Sequence, residues 1–261
     1  MNILIAPFIN MLFGFYHLTG NLGWAVVVVT VLIRLVLLPL VFPSLKSAKK
    51  MQELQPRLKK LQEKYGKEKE KLAKAQMDLY REEGVNPLSG CLPQILQIAV
   101  LILFFSAFNM VTAHMTGKDN VEEINRNLIS VFRINKEFKF GLGFLGSDLT
   151  MTPAKEFAKG VGLNLILPIV LLFGSGALQY ISTKLMMPTV KVDKEVVKKT
   201  EGKEDDMMSA IRTQSLYMMP LMTIFIGWGF SLGILLYWFV NSGVMLGQQL
   251  LVNKLNKKEQ K

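Results

Sequence analysis

Arg34 stands inside an otherwise unbroken apolar run, Leu22 to Phe42, long enough to cross a bilayer. An ionised side chain near the middle of a membrane helix costs about 2.5–3.5 kcal/mol on insertion scales, so it marks a place where something is bound or kept wet. Snorkelling is the competing account. Arg34 lies eight residues before Phe42, roughly 12 Å along a helix axis, and a long side chain covers part of that depth. Polar residues in the other apolar stretches favour a site. On a wheel of about 100° per residue, Gln94, Gln97, Ser106 and Asn109 share one half of a helix. Asn164, Ser175, Gln179 and Ser182 share a side of another, as do Tyr237, Asn241 and Gln248 of a third, and Thr30 sits one turn before Arg34. Small polar residues bond neighbouring helices at about 0.6 kcal/mol each, but glutamines, asparagines and an arginine are large for that role. The set predicts a hydrated concavity that binds by charge and hydrogen bonding.

The missing residues narrow the chemistry. None of the apolar stretches contains Asp or Glu, so Arg34 has no carboxylate partner in the membrane, and the carboxylates that proton relays and ion-coupled transporters employ are lacking. No grouping of His, Asp, Glu or Cys supports catalysis or a metal site, so neither an enzyme nor a cofactor is expected. The lone Cys91 forms no internal disulfide and reads as a small apolar residue at a helix start. His17 reads as a polar group at headgroup level. The methionines Met186, Met187, Met207, Met208, Met218, Met219 and Met222 fit either ordinary lipid-facing packing or an adaptable apolar surface near the mouth of the concavity.

These residues need a membrane-embedded frame. Half the chain is hydrophobic, and charge is crowded into a few segments, which is the pattern of a multispanning protein. The fold class expected is an all-α membrane protein of five transmembrane helices around a hydrophilic groove, with a cytoplasmic helical hairpin and an N-terminal interfacial helix. Spans are predicted over 21–43, 91–112, 162–187, 213–228 and 232–253, the last two separated by the turn-forming Gly227, Gly229, Ser231 and Gly233. Residues 1–20 are apolar but interrupted and read as an outer interfacial helix, with a sixth span as the competing reading. Gly243 and Gly247 form a Gly-x-x-x-Gly pair suited to close packing on the face away from the groove.

Between the first two spans, over 44–90, Met51, Leu54, Leu58, Leu61 and Tyr65 recur at spacings of three and four, the seam of one helix on another. Gly66 breaks the run and Leu72 and Leu79 lie on the second arm, giving an antiparallel hairpin whose first arm Pro56 should kink or restart. The Lys and Glu on its other faces fit plain solvation as well as a lipid-binding surface. Segment 113–161, with Phe138, Phe140 and Phe144, is expected to hold one or two short helices and an interfacial contact, and segment 188–212 to be mobile. Twenty-three Lys and Arg flank the spans on one side against seven on the other, so the N-terminus is expected outside and the C-terminus, with the basic tail 254–261, inside. No Lys or Arg precedes Arg34, which argues against a standard signal peptide or a transit peptide and for a prokaryotic plasma membrane.

Several runs resemble the YidC/Oxa/Alb family of membrane protein insertases. Gly20-Asn21-Leu22-Gly23-Trp24, Thr30-Val31-Leu32-Ile33-Arg34-Leu35 and Leu38-Pro39-Leu40 are similar to its first core helix and groove arginine. Asn86-Pro87-Leu88-Ser89-Gly90-Cys91-Leu92-Pro93 is similar to the lead-in of the second. Leu167-Pro168, Gln179 to Leu185 and Pro188 resemble the third, and Met219-Pro220 with Tyr237, Trp238 and Asn241 the last two. The similarity runs in order from about Pro7 to Lys258.

The resemblance implies a groove open to the cytoplasm and to lipid but closed outside, lined by Arg34, Thr30, Gln97, Ser106, Asn109, Gln179, Tyr237, Asn241 and Gln248. It implies insertion and chaperoning of nascent membrane proteins without nucleotide hydrolysis, alone or beside the Sec translocon. Lipids are further partners, and the expected functional unit is a monomer that binds no specific nucleic-acid sequence. Ribosome contact through Lys254, Lys257, Lys258 and Lys261 is implied too, although positive-inside topology explains those lysines equally. The chain departs from many members in lacking a large extracytoplasmic domain, an extra N-terminal span and a lipoprotein cysteine, and in its long charged outer loop, which puts the family's short cap in question. The reading from another class is a small-anion channel or carrier with Arg34 as the binding site, and an assembly chaperone that does not insert is a third.

Overall fold

A computed structural model of the chain describes residues 2–65, 68–86, 92–115, 120–186 and 214–259. Cys91, Gly66, Met187, Met207, Met208, Lys261 and loop 188–212 lie outside the described residues, as do the side chains of Gln94, Met186, Lys257 and Lys258. The protein is an all-α membrane protein. Among the described residues four helices are long and apolar enough to cross a membrane, spanning Leu22–Met51, Ile95–Met115, Leu163–Leu185 and Leu232–Leu255, while Leu216–Gly227 is shorter.

Helix α1 (Asn2–Thr19) ends at Gly20, whose φ of +65° lets the chain reverse. Its buried stripe, Ile5, Ile9, Leu12 and Phe13, joins Ala25, Val26 and Val29 in the main core. Helix α2 (Leu22–Tyr65) runs 44 residues without interruption, although Pro39, Pro43 and Pro56 each remove a ladder donor. Pro56 therefore does not restart the hairpin's first arm, and no loop separates that arm from the span. Packing outweighs the lost bonds. Leu54 and Leu58 on α2 bury against Leu79 of α3 (Lys69–Glu82) and Val85, with Met51, Leu61 and Tyr80 alongside. Lys50 Nζ donates to the Glu83 carbonyl at 3.0 Å and Arg57 pairs with the Glu83 carboxylate, which makes the arms antiparallel. Leu72 is buried as well, and burial pushes the Tyr80 phenol above its ordinary pKa.

Helix α4 (Leu92–Met115) buries Val100, Phe104, Ala107, Phe108 and Val111 and leaves Ile95, Ile98, Ile102 and Phe105 exposed. Spacings of three and four among the exposed residues mark a lipid-facing side. Segment 120–165 then contributes α5 (Val121–Asn127), a 3-10 turn at Ser130–Phe132, strands β1 (Gly143–Phe144) and β2 (Ser147–Asp148), α6 (Pro153–Ala158) and a second 3-10 turn at Leu163–Leu165. The two short helices match expectation; the strand pair, antiparallel with Phe144 opposite Ser147, does not. Phe140 and Phe144 are buried, and Phe140 packs edge-on to Phe13 and Tyr16 at 4.9 and 4.8 Å. These aromatics point into the protein.

Helix α7 (Ile166–Met186) precedes a π-helical turn, Gln214–Met218, which leads into α8 (Met219–Gly227); residues 228–231 turn the chain into α9 (Leu232–Glu259). The last helix carries Lys254, Lys257 and Lys258 in its final turns, so the basic tail continues a helix. Helices α7 and α9 run parallel, with Phe239 against Gly174 and Leu178 against Gly243. The Gly243 and Gly247 pair does not carry close packing. Leu178 stops 3.9 Å from a Cβ placed at Gly243, and nothing lies within 4 Å of one at Gly247. Side-chain notches do that work elsewhere: the Phe108 ring occupies the space a Cβ on Gly233 would need, and Phe144 does so at Gly23.

The start of α2 and the start of α9 are tied to one strap, 141–151. Leu22 N donates to Gly141 O at 3.2 Å, Leu232 N to Met151 O at 2.8 Å and Gly233 N to Leu149 O at 2.9 Å. Asn21 caps α2 through Oδ1 and reaches Gly143 O at 2.6 Å through Nδ2. Backbone donors at helix starts have no partner within the helix, so the strap supplies what the fold must otherwise leave open. We call this end of the bundle the loop end and the other the hairpin end. Gly233→Val should cost about 1–3 kcal/mol through overpacking against Phe108, read as a lower thermal midpoint of the purified protein in detergent; an unchanged midpoint would mean that Phe108 has room to withdraw.

Candidate functional site

Three helices converge on Arg34, each offering neighbours one turn apart. Helix α2 supplies Thr30, Ile33, Arg34 and Leu37, α4 supplies Leu96, Gln97 and Val100, and α9 supplies Tyr237 and Asn241. The residues are three or four apart on each helix and so share a side. Together they line a narrow cleft that is partly open to the surroundings.

Arg34 is 8% exposed, and its guanidinium is bonded on two sides. Nε donates to Asn241 Oδ1 at 2.5 Å, and a terminal nitrogen donates to Gln97 Oε1. Gln97 passes the network on, its Nε2 donating to the Tyr237 hydroxyl at 3.4 Å. The Tyr237 ring lies flat on Phe104, centroids 4.3 Å apart, so an apolar stack fixes the phenol's position. Thr30 turns back to the Val26 carbonyl at 2.6 Å and lends the cleft little hydrogen-bonding capacity. Gln248, about two turns further along α9, donates to the Arg34 carbonyl at 3.2 Å. It holds the backbone of α2 and is absent from the cleft lining.

Among the described residues, both side-chain partners of Arg34 are neutral amide oxygens. A guanidinium has five N–H donors, and a buried positive charge without a carboxylate keeps much of its attraction for anions. The site can therefore hold a polar or negatively charged group that brings its own acceptors. Among the described residues no group of three or more His, Cys, Asp or Glu is placed to hold a metal.

Several residues expected in the groove sit elsewhere. Ser106 lies about 180° and Asn109 about 120° around α4 from Gln97. Ser106 bonds its own helix at Ile102 O, and Asn109 is exposed. A shared half-wheel is too coarse to mean a shared cleft. Gln179 accepts from Thr223 Oγ1 at 2.6 Å and so joins α7 to α8. Asn164 belongs to the segment before α7 and bonds the Glu156 carbonyl. The apolar lining Ile33, Leu37, Leu96 and Val100 was not anticipated, although it consists of immediate or one-turn neighbours of Arg34 and Gln97. Towards the hairpin end, Val41, Leu45 and Val252 form a separate apolar cluster with Phe42 and Leu96.

Residues 14–260 match the family model described as "60Kd inner membrane protein". A Pelobacter propionicus protein named "Membrane protein insertase YidC" is 29% identical over 254 residues, covering 97% of this chain and 39% of the relative. Relatives of the same name from Streptomyces avermitilis and Leptospira interrogans are 31% and 29% identical, over 91% and 92% of this chain and 53% and 32% of theirs. The chain thus spans about a third to a half of the length of these curated relatives.

Removing the amide from Asn241 strands a buried charge on one side. Asn241→Ala should cost about 1–3 kcal/mol and markedly less in an Arg34→Ala background, measured as a double-mutant cycle of unfolding in detergent; additive losses would show that the pair is not coupled.

Proposed function

The chain belongs to the 60Kd inner membrane protein family, and from that premise we propose that it is a membrane protein insertase and chaperone of a bacterial membrane. The observation that carries the reading is Arg34, buried between α2, α4 and α9 with, among the described residues, only amide oxygens as side-chain partners. Such a site attracts the hydrophilic or acidic flank of a nascent chain and draws it partway into the bilayer. The flank then crosses a shorter dry barrier, which lowers the cost of desolvating its polar groups. Meanwhile its apolar helix moves along the lipid-facing edge, where α4 exposes Ile95, Ile98 and Ile102 and α8 exposes Leu221 and Phe225. No step uses nucleotide hydrolysis.

In this reading the N-terminus is outside, α2, α4, α7, α8 and α9 are the five spans, and the groove opens to cytoplasm and lipid. Thr30, Gln97, Tyr237 and Asn241 line it beside Arg34; Gln248 acts through the backbone of α2. The functional unit is a monomer. Ribosomes meet Lys254 and its neighbours on α9, and the Sec translocon is an optional partner. The hairpin of α2 and α3, which has its own apolar core, receives clients at the cytoplasmic face.

If charge is the operative property, Arg34→Lys retains insertion while Arg34→Ala loses about tenfold or more for clients with acidic tails, a barrier change of about 1.4 kcal/mol. The assay is insertion into vesicles containing the purified protein, and equal activity of Arg34→Ala on every client would sink the idea. Deleting Met51 to Glu83 should impair insertion with little change in the thermal midpoint of the bundle, because the hairpin core is separate; intact insertion would remove the hairpin's role.

A further inference from the structure

The tip of the β1–β2 hairpin carries a residue that water disfavours twice. The chain reverses through Leu145 and Gly146, at φ +48° and +84°, a two-residue turn whose first position suits asparagine or glycine. Leu145 is the one non-glycine residue at positive φ among the described residues, and its side chain is 69% exposed. Left-handed backbone is costly for a leucine, and an isobutyl group in water adds to that cost. Burial of the same group in an apolar medium more than offsets one left-handed residue.

The hairpin's attachments supply such a medium. Strand β1 and Leu149, the residue after β2, are bonded to the starts of two membrane-crossing helices, at Asn21 before α2 and Gly233 in α9. Phe144, next to Leu145, meets the half-exposed Trp24 of α2 edge-on, centroids 5.5 Å apart. Indole rings favour the boundary between headgroups and acyl chains, so the tip sits at that level. Ser147 Oγ donates to Asn164 O at 3.2 Å, which brings alongside the residues leading into α7, where Val161 and Leu163 are 100% and 82% exposed.

We propose that the β1–β2 turn is a lipid anchor: Leu145, flanked by Val161 and Leu163, inserts at the headgroup–acyl boundary of the leaflet at the loop end and seats segment 141–151 on the bilayer. The partner is phospholipid itself. Nothing in this depends on the insertase reading, only on residence in a membrane.

The test uses the full chain in vesicles of phosphatidylethanolamine and phosphatidylglycerol. An environment-sensitive nitrobenzoxadiazole label is attached to Leu145→Cys in a Cys91→Ser background, with Glu137→Cys, exposed just before segment 141–151, as the aqueous reference. At position 145 the emission should be blue-shifted and quenched severalfold more by lipid-borne nitroxide than by iodide. Iodide quenching equal to that at position 137 would overturn the proposal. Leu145→Asn gives an independent sign. Asparagine tolerates the left-handed turn, so a tip in water would exchange its amide hydrogens more slowly after this change, whereas a lipid-seated tip should exchange faster over residues 143–149. Slower or unchanged exchange in vesicles would likewise overturn the proposal.

Discussion

One charge with no countercharge among the described residues organises the bundle. Arg34 is buried where α2, α4 and α9 meet, and the oxygens that satisfy it come from Gln97 and Asn241 on the other two helices. A buried guanidinium left without acceptors is far costlier than an ordinary packing fault, so the spacing of the three helices is set by the reach of two amide side chains. The rest of the loop end holds that spacing. Residues 141–151 bind the starts of α2 and α9, and Phe108 seated at Gly233 fixes α4 against α9 one turn from the Tyr237 and Phe104 stack. Gln248 adds a grip on the backbone of α2 at Arg34 itself.

The choice of amides over a carboxylate has a chemical consequence. A carboxylate in place of Asn241 would neutralise the guanidinium and leave little field for a visitor. Amide oxygens satisfy donors without cancelling charge, so the fold tolerates the arginine while its attraction for anions persists. On the proposed function, the same arrangement that makes the site affordable to fold also leaves it able to receive.

Much of this was legible in the sequence, and the limits are physical. Arg34, Gln97, Tyr237 and Asn241 could be grouped because large polar side chains in lipid must face one another. The hairpin seam could be read because Leu54, Leu58 and Leu79 keep helix periodicity in a polar background. Ser106 and Asn109 misled because a hydroxyl or amide can also satisfy itself on its own helix or at a protein edge. The two-residue strands, the strap and the notch at Gly233 depend on which backbone donors and rings meet across the fold, and no local pattern encodes that. Pro56 suggested an interruption, yet α2 runs through it, as through Pro39 and Pro43, because its two halves are each held by side-chain packing.

The two ends of the cleft are closed by different forces, and the difference decides which yields. At the loop end, separating α2 from α9 exposes the amides of Leu22, Leu232 and Gly233, and unpaired backbone groups next to hydrocarbon cost several kcal/mol each. At the hairpin end, closure rests on Val41, Leu45 and Val252 with Phe42 and Leu96. Lipid tails are as apolar as these side chains, so parting them in a membrane sacrifices packing but leaves no polar group unsatisfied. Helix α4 has the matching asymmetry: the residues it buries, Val100, Phe104, Ala107, Phe108, Val111 and Thr112, all lie from Val100 onward, whereas residues 95–99 before them are half-buried or exposed. On the proposed function, the weak end of the cleft is therefore the hairpin end, and the wall that would move is the first half of α4, which carries Gln97. Displacing that wall would withdraw one of Arg34's two amide partners, so opening the cleft and freeing the charge are a single motion.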